Sequence, residues 1–284
     1  MSIVVKNLNF TYMPKTPFEK KALSDIDLEI NKGEFVAVIG HTGSGKSTLL
    51  QHFNGLLTAT EGEIYVDGEK IVKKNLYDIR KKVGFVFQYP EHQLFADTVY
   101  KDIAFGLKRF GLTEEETKER IEKAAKLVGL DAGLFESSVF ELSGGEKRRA
   151  ALCGVLVSEP EYLLLDEPAS GLDPKGRREM LDLLKQLNAK GVTVILISHS
   201  MDDVAETAGR VIVMNKGRIA LDGTPEQIFS DPVLIGSLGL DIPEITKMFR
   251  AFSERSGLSL PVVTTKAQGK ALIEKLISEG RLVQ

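Results

Sequence analysis

The chain has 284 residues, a formal net charge of −3 and a single cysteine. This length allows a large hydrophobic core, the weak negative charge gives no electrostatic argument for binding nucleic acid, and one cysteine excludes an intrachain disulfide. No apolar run approaches the ~18 residues that span a bilayer, so the composition is typical of a soluble intracellular enzyme.

The first strands predicted from the sequence lie before residue 35. Residues 1–6 lack the layout of a secretory signal peptide, so we expect none to be present. Phe10 and Tyr12 alternate onto one face of a strand, and the two rings could simply pack there. Asp67-Gly68 predicts a turn between later strands.

A strand, a glycine-rich loop and a helix are predicted between residues 35 and 51. Phe35–Ile39 is an apolar run suited to a buried parallel strand, and the residues from Ser47 onward have a helical composition. Between them, the pattern G-x-x-x-x-G-K-S matches the nucleotide P-loop. Its glycines let consecutive N–H groups face phosphate oxygens, and the helix N-terminus adds partial positive charge. The predicted nucleotide-binding residues here are Gly40, His41, Thr42, Gly43, Ser44, Gly45, Lys46, Ser47 and Thr48.

Two side chains of this loop have specific expected roles. Lys46 should reach the β- and γ-phosphates of a nucleoside triphosphate, and Ser47 should bind Mg²⁺. The alternative is a glycine-rich turn followed by a chance Lys-Ser pair. That pattern arises by chance in roughly 1% of chains of this length, and the flanking strand and helix signals lower the chance further.

A strand at Val83–Phe87 precedes Gln88, and the pattern then becomes helical from about residue 89 to residue 158. Thr113–Glu116 is typical of a helix start. The expected apolar face of that helix comprises Ile121, Ala124, Ala125 and Val128. Farther along, Ser143-x-x-Glu146 fits a capping box at the start of another helix.

An apolar strand, Tyr162–Leu165, ends in the two acids Asp166 and Glu167, which is a Walker B pattern. Asp166 would hold Mg²⁺ through water, and Glu167 is placed to polarise an attacking water. Acids after a strand are usually just the start of a loop. The P-loop upstream favours the functional interpretation.

Another strand is predicted at Val194–Ser198, and His199 follows it. A single histidine in such a place is more often structural. The other three histidines lack the spacing of metal ligands, so we predict no zinc site. Val211–Met214 and Arg218–Leu221 flank Asn215-Lys216-Gly217, which is typical of a hairpin.

The ordered set of motifs resembles the ATP-binding cassette (ABC) family over about the first 225 residues. The family signature LSGGQ reads Leu142-Ser143-Gly144-Gly145-Glu146 here, and Ser170–Asp173 matches the D-loop. Gln88 matches the Q-loop glutamine, and His199 matches the switch histidine. Tyr12 lies where the family stacks an aromatic ring on adenine.

The resemblance implies how these residues act. Gln88 would sense Mg²⁺ and the γ-phosphate, and His199 would contact the γ-phosphate. Two subunits would close head to tail around two ATP molecules, each site combining one subunit's P-loop with the other's signature. The implied catalytic residues are Glu167, His199, Gln88 and Asp166, and the implied Mg²⁺ residues are Ser47, Gln88 and Asp166. Further nucleotide contacts are implied for Tyr12, Ser143, Gly144, Gly145, Glu146 and Asp173.

Glu146 departs from the family pattern, because it replaces the usual signature glutamine. An acid in the first helical turn suits both the capping box and the helix dipole. Its negative charge could nevertheless weaken a composite site that holds a triphosphate. The activity of that site, but not its assembly, is therefore in question.

Two segments narrow the resemblance to ATPases of energy-coupling factor (ECF) transporters, especially the second ATPase paralogue. These segments are Phe87–Phe95 and Ser198–Asp203, and the short tail after residue 226 is also similar. The subgroup implies a second ATPase subunit, identical or paralogous, and a transmembrane coupling subunit. It also implies a separate membrane subunit that binds a vitamin or transition metal, and a peripheral location at the cytoplasmic face of the cell membrane.

The expected fold is α/β, with a P-loop NTPase core around a parallel sheet, an antiparallel β region, a helical signature subdomain and a small C-terminal helical extension. Residues 1–225 would form the ATPase domain, with the helical subdomain at about 89–158, and residues 226–284 the extension. Short amphipathic helices at 245–249 and 267–277 could cap the domain or form a dimer contact.

Alternative functions remain open at this point. They are the ATPase of a binding-protein-dependent importer, a soluble ABC protein acting on DNA or ribosomes, and a regulatory subunit with a silent Glu146 site. The segment Gln88–Phe95 is predicted to dock a membrane partner, although Leu94 and Phe95 could instead pin the helical region to the core.

Overall fold

The computed structural model of the protein describes residues 1–281. Its strands form a four-stranded antiparallel sheet and a six-stranded, mostly parallel sheet. The strands are β1 (Ser2–Tyr12), β2 (Lys20–Asn31), β3 (Phe35–Ile39), β4 (Glu61–Val66), β5 (Glu69–Lys70), β6 (Val83–Val86), β7 (Tyr162–Asp166), β8 (Thr193–Ile197), β9 (Arg210–Asn215) and β10 (Arg218–Gly223).

The larger sheet has the order β10-β9-β3-β8-β7-β6, in which β9 through β6 run parallel and β10 pairs antiparallel with β9. The predicted hairpin is confirmed between β9 and β10. Lys216 and Gly217 both have positive φ there, as a tight hairpin turn requires. The smaller sheet has the order β2-β1-β4-β5, with the predicted turn at Asp67-Gly68 between its last two strands.

Two hydrophobic cores lie on opposite faces of the larger sheet. Along β3, Phe35, Ala37 and Ile39 belong to one core, whereas Val36 and Val38 belong to the other. Both faces of this central strand are therefore covered, which explains why its sequence is apolar throughout. The fully apolar run predicted a buried parallel strand correctly.

Eleven α-helices lie within the described residues. They are α1 (Lys46–Phe53), α2 (Leu76–Lys82), α3 (Val99–Phe105), α4 (Glu114–Val128), α5 (Gly144–Leu156), α6 (Pro174–Ala189), α7 (Met201–Thr207), α8 (Pro225–Ile228), α9 (Pro232–Ser237), α10 (Glu244–Ser256) and α11 (Lys266–Ser278). None of these helices, in the part of the chain that is described, has the length and hydropathy to cross a membrane.

The helical pattern predicted before β7 is confirmed by α3, α4 and α5. Thr113 caps α4 and forms a capping box with Glu116, and the four predicted apolar positions of α4 are buried. A capping box also begins α5, where it is formed by Ser143 and Glu146. Local capping chemistry therefore fixes where both helices begin.

The C-terminal helices α10 and α11 confirm the two amphipathic segments predicted in the tail. They attach to the rest of the fold through α7, because Asp202 accepts from the backbone N–H of Glu244 (3.1 Å) and Glu206 from that of Lys266 (3.2 Å). The α/β fold class is as expected, with its parallel sheet, antiparallel region and helical segments. Residues 282–284, the end of the predicted extension, lie outside the described residues.

Candidate active site

The P-loop and the predicted catalytic residues converge at one edge of the larger sheet. Gly40 follows β3, His199 lies two residues after β8, Glu167 follows β7, and Gln88 lies two residues after β6. These four strands are adjacent and parallel. Because the carboxyl ends of parallel strands meet at the same edge, the topology brings together residues that are far apart in the sequence.

The P-loop runs from β3 into α1, and its glycines are required by sterics. Gly45 precedes α1 with φ of 104°, and a Cβ there would lie 2.8 Å from the Ala22 carbonyl oxygen. A Cβ on Gly40 would lie 2.6 Å from Ser44 Oγ. Only glycine allows the loop to curl this tightly against β2 and β9.

Lys46 is held against the loop itself. Its Nζ donates to the carbonyl oxygens of Gly40 (2.8 Å) and His41 (3.2 Å), and the side chain is buried. Burial lowers the pKa of Lys46, against the opposing influence of the Glu167 and Asp166 carboxylates. An ammonium group has three donors, so one remains for a phosphate oxygen.

Ser44 and His41 occupy the rest of the loop. Ser44 Oγ is fully buried and has no hydrogen-bond partner within residues 1–281. Buried hydroxyls are normally satisfied, so an unpaired donor inside this curl fits an anion. The His41 ring contacts the Thr42 carbonyl oxygen (2.8 Å) and Asn215 Oδ1 (3.1 Å), which ties the loop to the end of β9.

Ser47 and Asp166 form the oxygen-rich part of the site. Burial raises the pKa of Asp166, while a hydrogen bond from Ser47 opposes that rise. No cluster of three or more His, Cys, Asp or Glu side chains suited to a metal occurs in the described chain. Two protein oxygens fit Mg²⁺, which usually takes its remaining ligands from phosphates and water.

Glu167 is the centre of a three-residue cluster. One carboxylate oxygen, Oε1, lies 2.8 Å from His199 Nε2, and Oε2 accepts from Gln88 Nε2 at 3.1 Å. Glu167 has φ of 51°, a left-handed conformation that is uncommon outside glycine, and its backbone N–H donates to the Ile197 carbonyl (3.1 Å). A cavity of about 350 Å³ lies beside Glu167 and His199. The cluster can orient and polarise a water in that space.

Ser143, Gly144 and Gly145 of the signature are exposed at the start of α5, whereas Leu142 is buried. Ser143 Oγ donates to Glu146 Oε2 at 2.6 Å, and Ser143 N–H donates to the same oxygen at 2.8 Å. These hydrogen bonds lower the pKa of Glu146, so its carboxylate stays ionised. A Cβ on Gly144 or Gly145 would meet no atom within 4 Å, so this surface is open to a second molecule.

Tyr12 and Asp173 each contact neighbouring residues of this chain. Tyr12 packs edge-on against Phe10 with ring centroids 4.7 Å apart, and its hydroxyl lies 3.1 Å from Thr48 Oγ1. Tyr12 therefore does pack against Phe10. Even so, 37% of Tyr12 is exposed beside the P-loop helix, where its ring can meet a ligand. Asp173 caps α6, where its Oδ1 accepts from Gly176 N–H at 2.7 Å.

A network around Arg177 was missed by the sequence reasoning. Its Nε donates to both oxygens of Asp203 (3.0 and 2.8 Å), and Nη2 donates to the Ser200 hydroxyl. Ser200 is the residue after His199 and caps α7. Arg177 therefore links the helix after the D-loop to the loop that holds the switch histidine. Its place on a charged helix face gave no signal of this role.

A sequence profile described as ABC transporter matches residues 23–170. The chain is 52% identical over 279 residues to the energy-coupling factor transporter ATP-binding protein EcfA2 of Clostridium tetani, covering 96% of this chain and 97% of that protein. It is 50% identical over 281 residues to EcfA2 of Acetivibrio thermocellus, covering 99% and 100%.

Two solved structures are also similar to this chain. The structure of cbiO1 from Clostridium perfringens, described as part of the ABC transporter complex cbiONQ, has a TM-score of 0.73 and 38% identity, covering 87% of this chain and 98% of that one. A dimeric structure of the ATP-binding cassette MJ0796, bound to ADP and Pi, has a TM-score of 0.71 and 31% identity, covering 78% and 98%.

Proposed function

The chain belongs to the ABC transporter family and, within it, to the ATP-binding proteins of energy-coupling factor transporters, and we propose from this premise how its residues drive transport. It is an ATPase whose hydrolysis is coupled to import through membrane partners. The observation that carries the proposed mechanism is the contact of Glu167 with both His199 and Gln88 at the edge where the P-loop begins.

ATP binding begins at the loop between β3 and α1. Lys46 would place its free donor on the β- and γ-phosphates, and Ser44 would gain an acceptor for its buried hydroxyl. Ser47, Asp166 and Gln88 would hold Mg²⁺, which when bound neutralises charge on the phosphate oxygens. Tyr12 would offer its exposed ring to the adenine, while Phe10 supports the opposite edge.

Hydrolysis is assigned to the cluster around Glu167. Its carboxylate would accept a hydrogen bond from the attacking water, whose oxygen bonds to the γ-phosphorus as the bond to the bridging oxygen breaks. ADP leaves with that electron pair, and the water proton passes to the carboxylate. His199 and Gln88, which both contact the Glu167 carboxylate, would move from it to make their own contacts with the γ-phosphate.

A second ATPase subunit would complete each site. The open surface at Gly144 and Gly145 supports close approach of another molecule, and the N-terminus of α5 favours an anion there. Asp173 lies at the N-terminus of α6 and would meet the same partner. We propose that the partner is a paralogous or identical cassette that closes head to tail on this chain.

The membrane partner would dock on the segment from Gln88 to Phe95. Tyr89 and Phe95 are 47% and 59% exposed, and Phe95 packs edge-on against Phe105, itself 49% exposed. Leu94 packs against the main core, so it anchors the segment while the aromatic rings face outward. Such an apolar surface beside a nucleotide-sensing residue suits a transmembrane coupling subunit.

This docking role is tested by replacing His92 and Gln93 with Ala together. Soluble ATP hydrolysis should stay near the parental rate, because neither side chain contacts Glu167, and uptake by the assembled transporter should fall. If both activities fall together, or neither changes, these positions do not couple ATP hydrolysis to transport.

The transported substrate would be a vitamin or a transition metal, bound by a separate membrane subunit at the cytoplasmic membrane.

The tail is proposed to support subunit pairing when ATP is absent. Its capping bonds to α7 show that it packs on its own domain, but Met248, Ile273 and Ile277 remain 65%, 43% and 41% exposed. Exposed apolar side chains on two adjacent helices favour a contact with a second subunit. The cap and the dimer contact are therefore compatible functions of one extension.

A further inference from the structure

Arg148 is a buried arginine on α5 whose contacts all lie outside its own helix. Only 6% of the residue is exposed. Its Nη1 donates to the Ser170 carbonyl oxygen at 2.9 Å, and Nη2 donates to the Gln88 carbonyl oxygen at 3.3 Å. Its Nε lies 3.3 Å from Glu91 Oε2. One guanidinium therefore touches the Q-loop twice and the D-loop once.

The chemistry of these contacts demands arginine. A guanidinium is a rigid planar fork, so fixing one end fixes the direction of the other donors. Two of its acceptors are main-chain carbonyl oxygens, whose positions depend directly on the conformation of the backbone. A lysine ammonium could keep the charge beside Glu91, but it is a compact group that cannot span both loops in one fixed geometry.

Arg148 lies between the start of α5, which would face the partner's ATP, and the loop that holds Gln88 at this subunit's own site. It lies in the second turn of α5, and the first turn carries Ser143 through Glu146, which would face the partner's ATP. The Q-loop carbonyl that it binds belongs to Gln88, whose side chain bonds Glu167 of the same subunit. Through these hydrogen bonds, a movement of α5 toward the partner would pull on the main chain of Gln88 and Ser170.

We propose that Arg148 is the positioning residue that transmits closure of the signature helix on the partner's ATP to the Gln88–Glu167 cluster of its own subunit. This inference rests on the proposed function and deepens it by assigning cooperativity between the two ATP sites to one side chain. Arg148 contacts no nucleotide in this scheme. It acts by setting the positions of the Q-loop and D-loop relative to α5.

The test compares Arg148→Lys with the parent in the complete transporter, with rate measured against ATP concentration. We expect the parent to show a Hill coefficient above 1. In Arg148→Lys the coefficient should fall to about 1 and kcat about tenfold, with direct ATP affinity changed by less than about twofold. A loss of folded protein alone would lower kcat without changing the Hill coefficient.

Two further variants sharpen the comparison. Arg149→Lys is the matched control, because Arg149 lies on the same helix but contacts Gly129 and Glu179. It should keep parental cooperativity. Arg148→Gln provides a neutral variant if the Lys variant does not fold, and it should lose cooperativity in the same way.

The outcomes separate the two proposals. A parent without cooperativity, an unchanged Hill coefficient in both Arg148 variants, or an equal loss in Arg149→Lys would overturn the role of Arg148 while leaving an active ATPase. A parent chain that neither binds nor hydrolyses ATP would instead overturn the proposed function.

Discussion

Replacing Glu146 with Gln should strengthen ATP-driven closure of the composite site. Glu146 stays ionised because Ser143 donates two hydrogen bonds to one of its oxygens, and those bonds also occupy the Ser143 hydroxyl. Glutamine keeps the acceptor that the capping box needs but carries no charge. The Ser143 hydroxyl would then turn more easily to the partner's γ-phosphate.

The size of the effect follows from Coulomb's law. The Glu146 carboxylate would repel the negative γ-phosphate of the partner's ATP, and the solvent around Glu146 weakens this repulsion. Removing the charge should therefore lower the KM for ATP only modestly in the variant, by about two- to fivefold. The variant also loses a favourable charge at the helix N-terminus, so the melting temperature should fall slightly while affinity rises.

The assay is steady-state ATP hydrolysis by the complete transporter at low and high salt. The gain should shrink at high salt, because the Debye length is only about 3 Å at 1 M. Glu116→Gln is the matched control: Thr113 and Glu116 form a capping box at α4, and hydrogen bonds from Thr113 also lower the pKa of Glu116. Equal KM values for the Glu146 variant and parent, or a gain shared by the Glu116 variant, would refute the reasoning.

Three other changes have expected outcomes. Lys46→Ala should weaken ATP binding and halt hydrolysis, because the cation facing the β- and γ-phosphates is lost. Unaltered nucleotide affinity in an equilibrium binding measurement would contradict the assignment of this loop as the phosphate-binding site. Burial raises the pKa of Asp166, so Mg²⁺-dependent ATP binding should weaken at a higher pH than for an ordinary aspartate as the solution is acidified, and Asp166→Asn should abolish this dependence in calorimetric titrations. Deleting the tail from about residue 240 should reduce association in nucleotide-free buffer, and an unchanged mass by light scattering would make the tail only a cap.

Features that depend on neighbouring residues could be predicted from the sequence. The capping box of Ser143 and Glu146, three residues apart, forms as expected, and a helix begins after Thr113 as the sequence predicted. The apolar run Phe35–Ile39 predicted a buried parallel strand because both faces of β3 are covered. Strand ends were less accurate, since Phe87 and Ser198 lie just beyond β6 and β8.

Features that depend on strand order could not be derived from local pattern. Gln88 and Glu167 are 79 residues apart and meet because β6 and β7 are neighbours in the sheet. Only the resemblance to the ABC family placed them in one site. The contacts of Arg148 and Arg177 lay beyond both approaches, since a charged residue on an amphipathic helix is ordinarily a solvated one.

The most direct test of the central claim is single-turnover ATP hydrolysis by Glu167→Gln, with ATP binding measured on the same protein. We expect binding to be retained, the closed dimer to accumulate, and the rate to fall by about 10²–10⁴-fold, the contribution of a positioned general base. Hydrolysis at the parental rate by a folded Glu167→Gln variant would contradict the assignment of this carboxylate as the group that activates water.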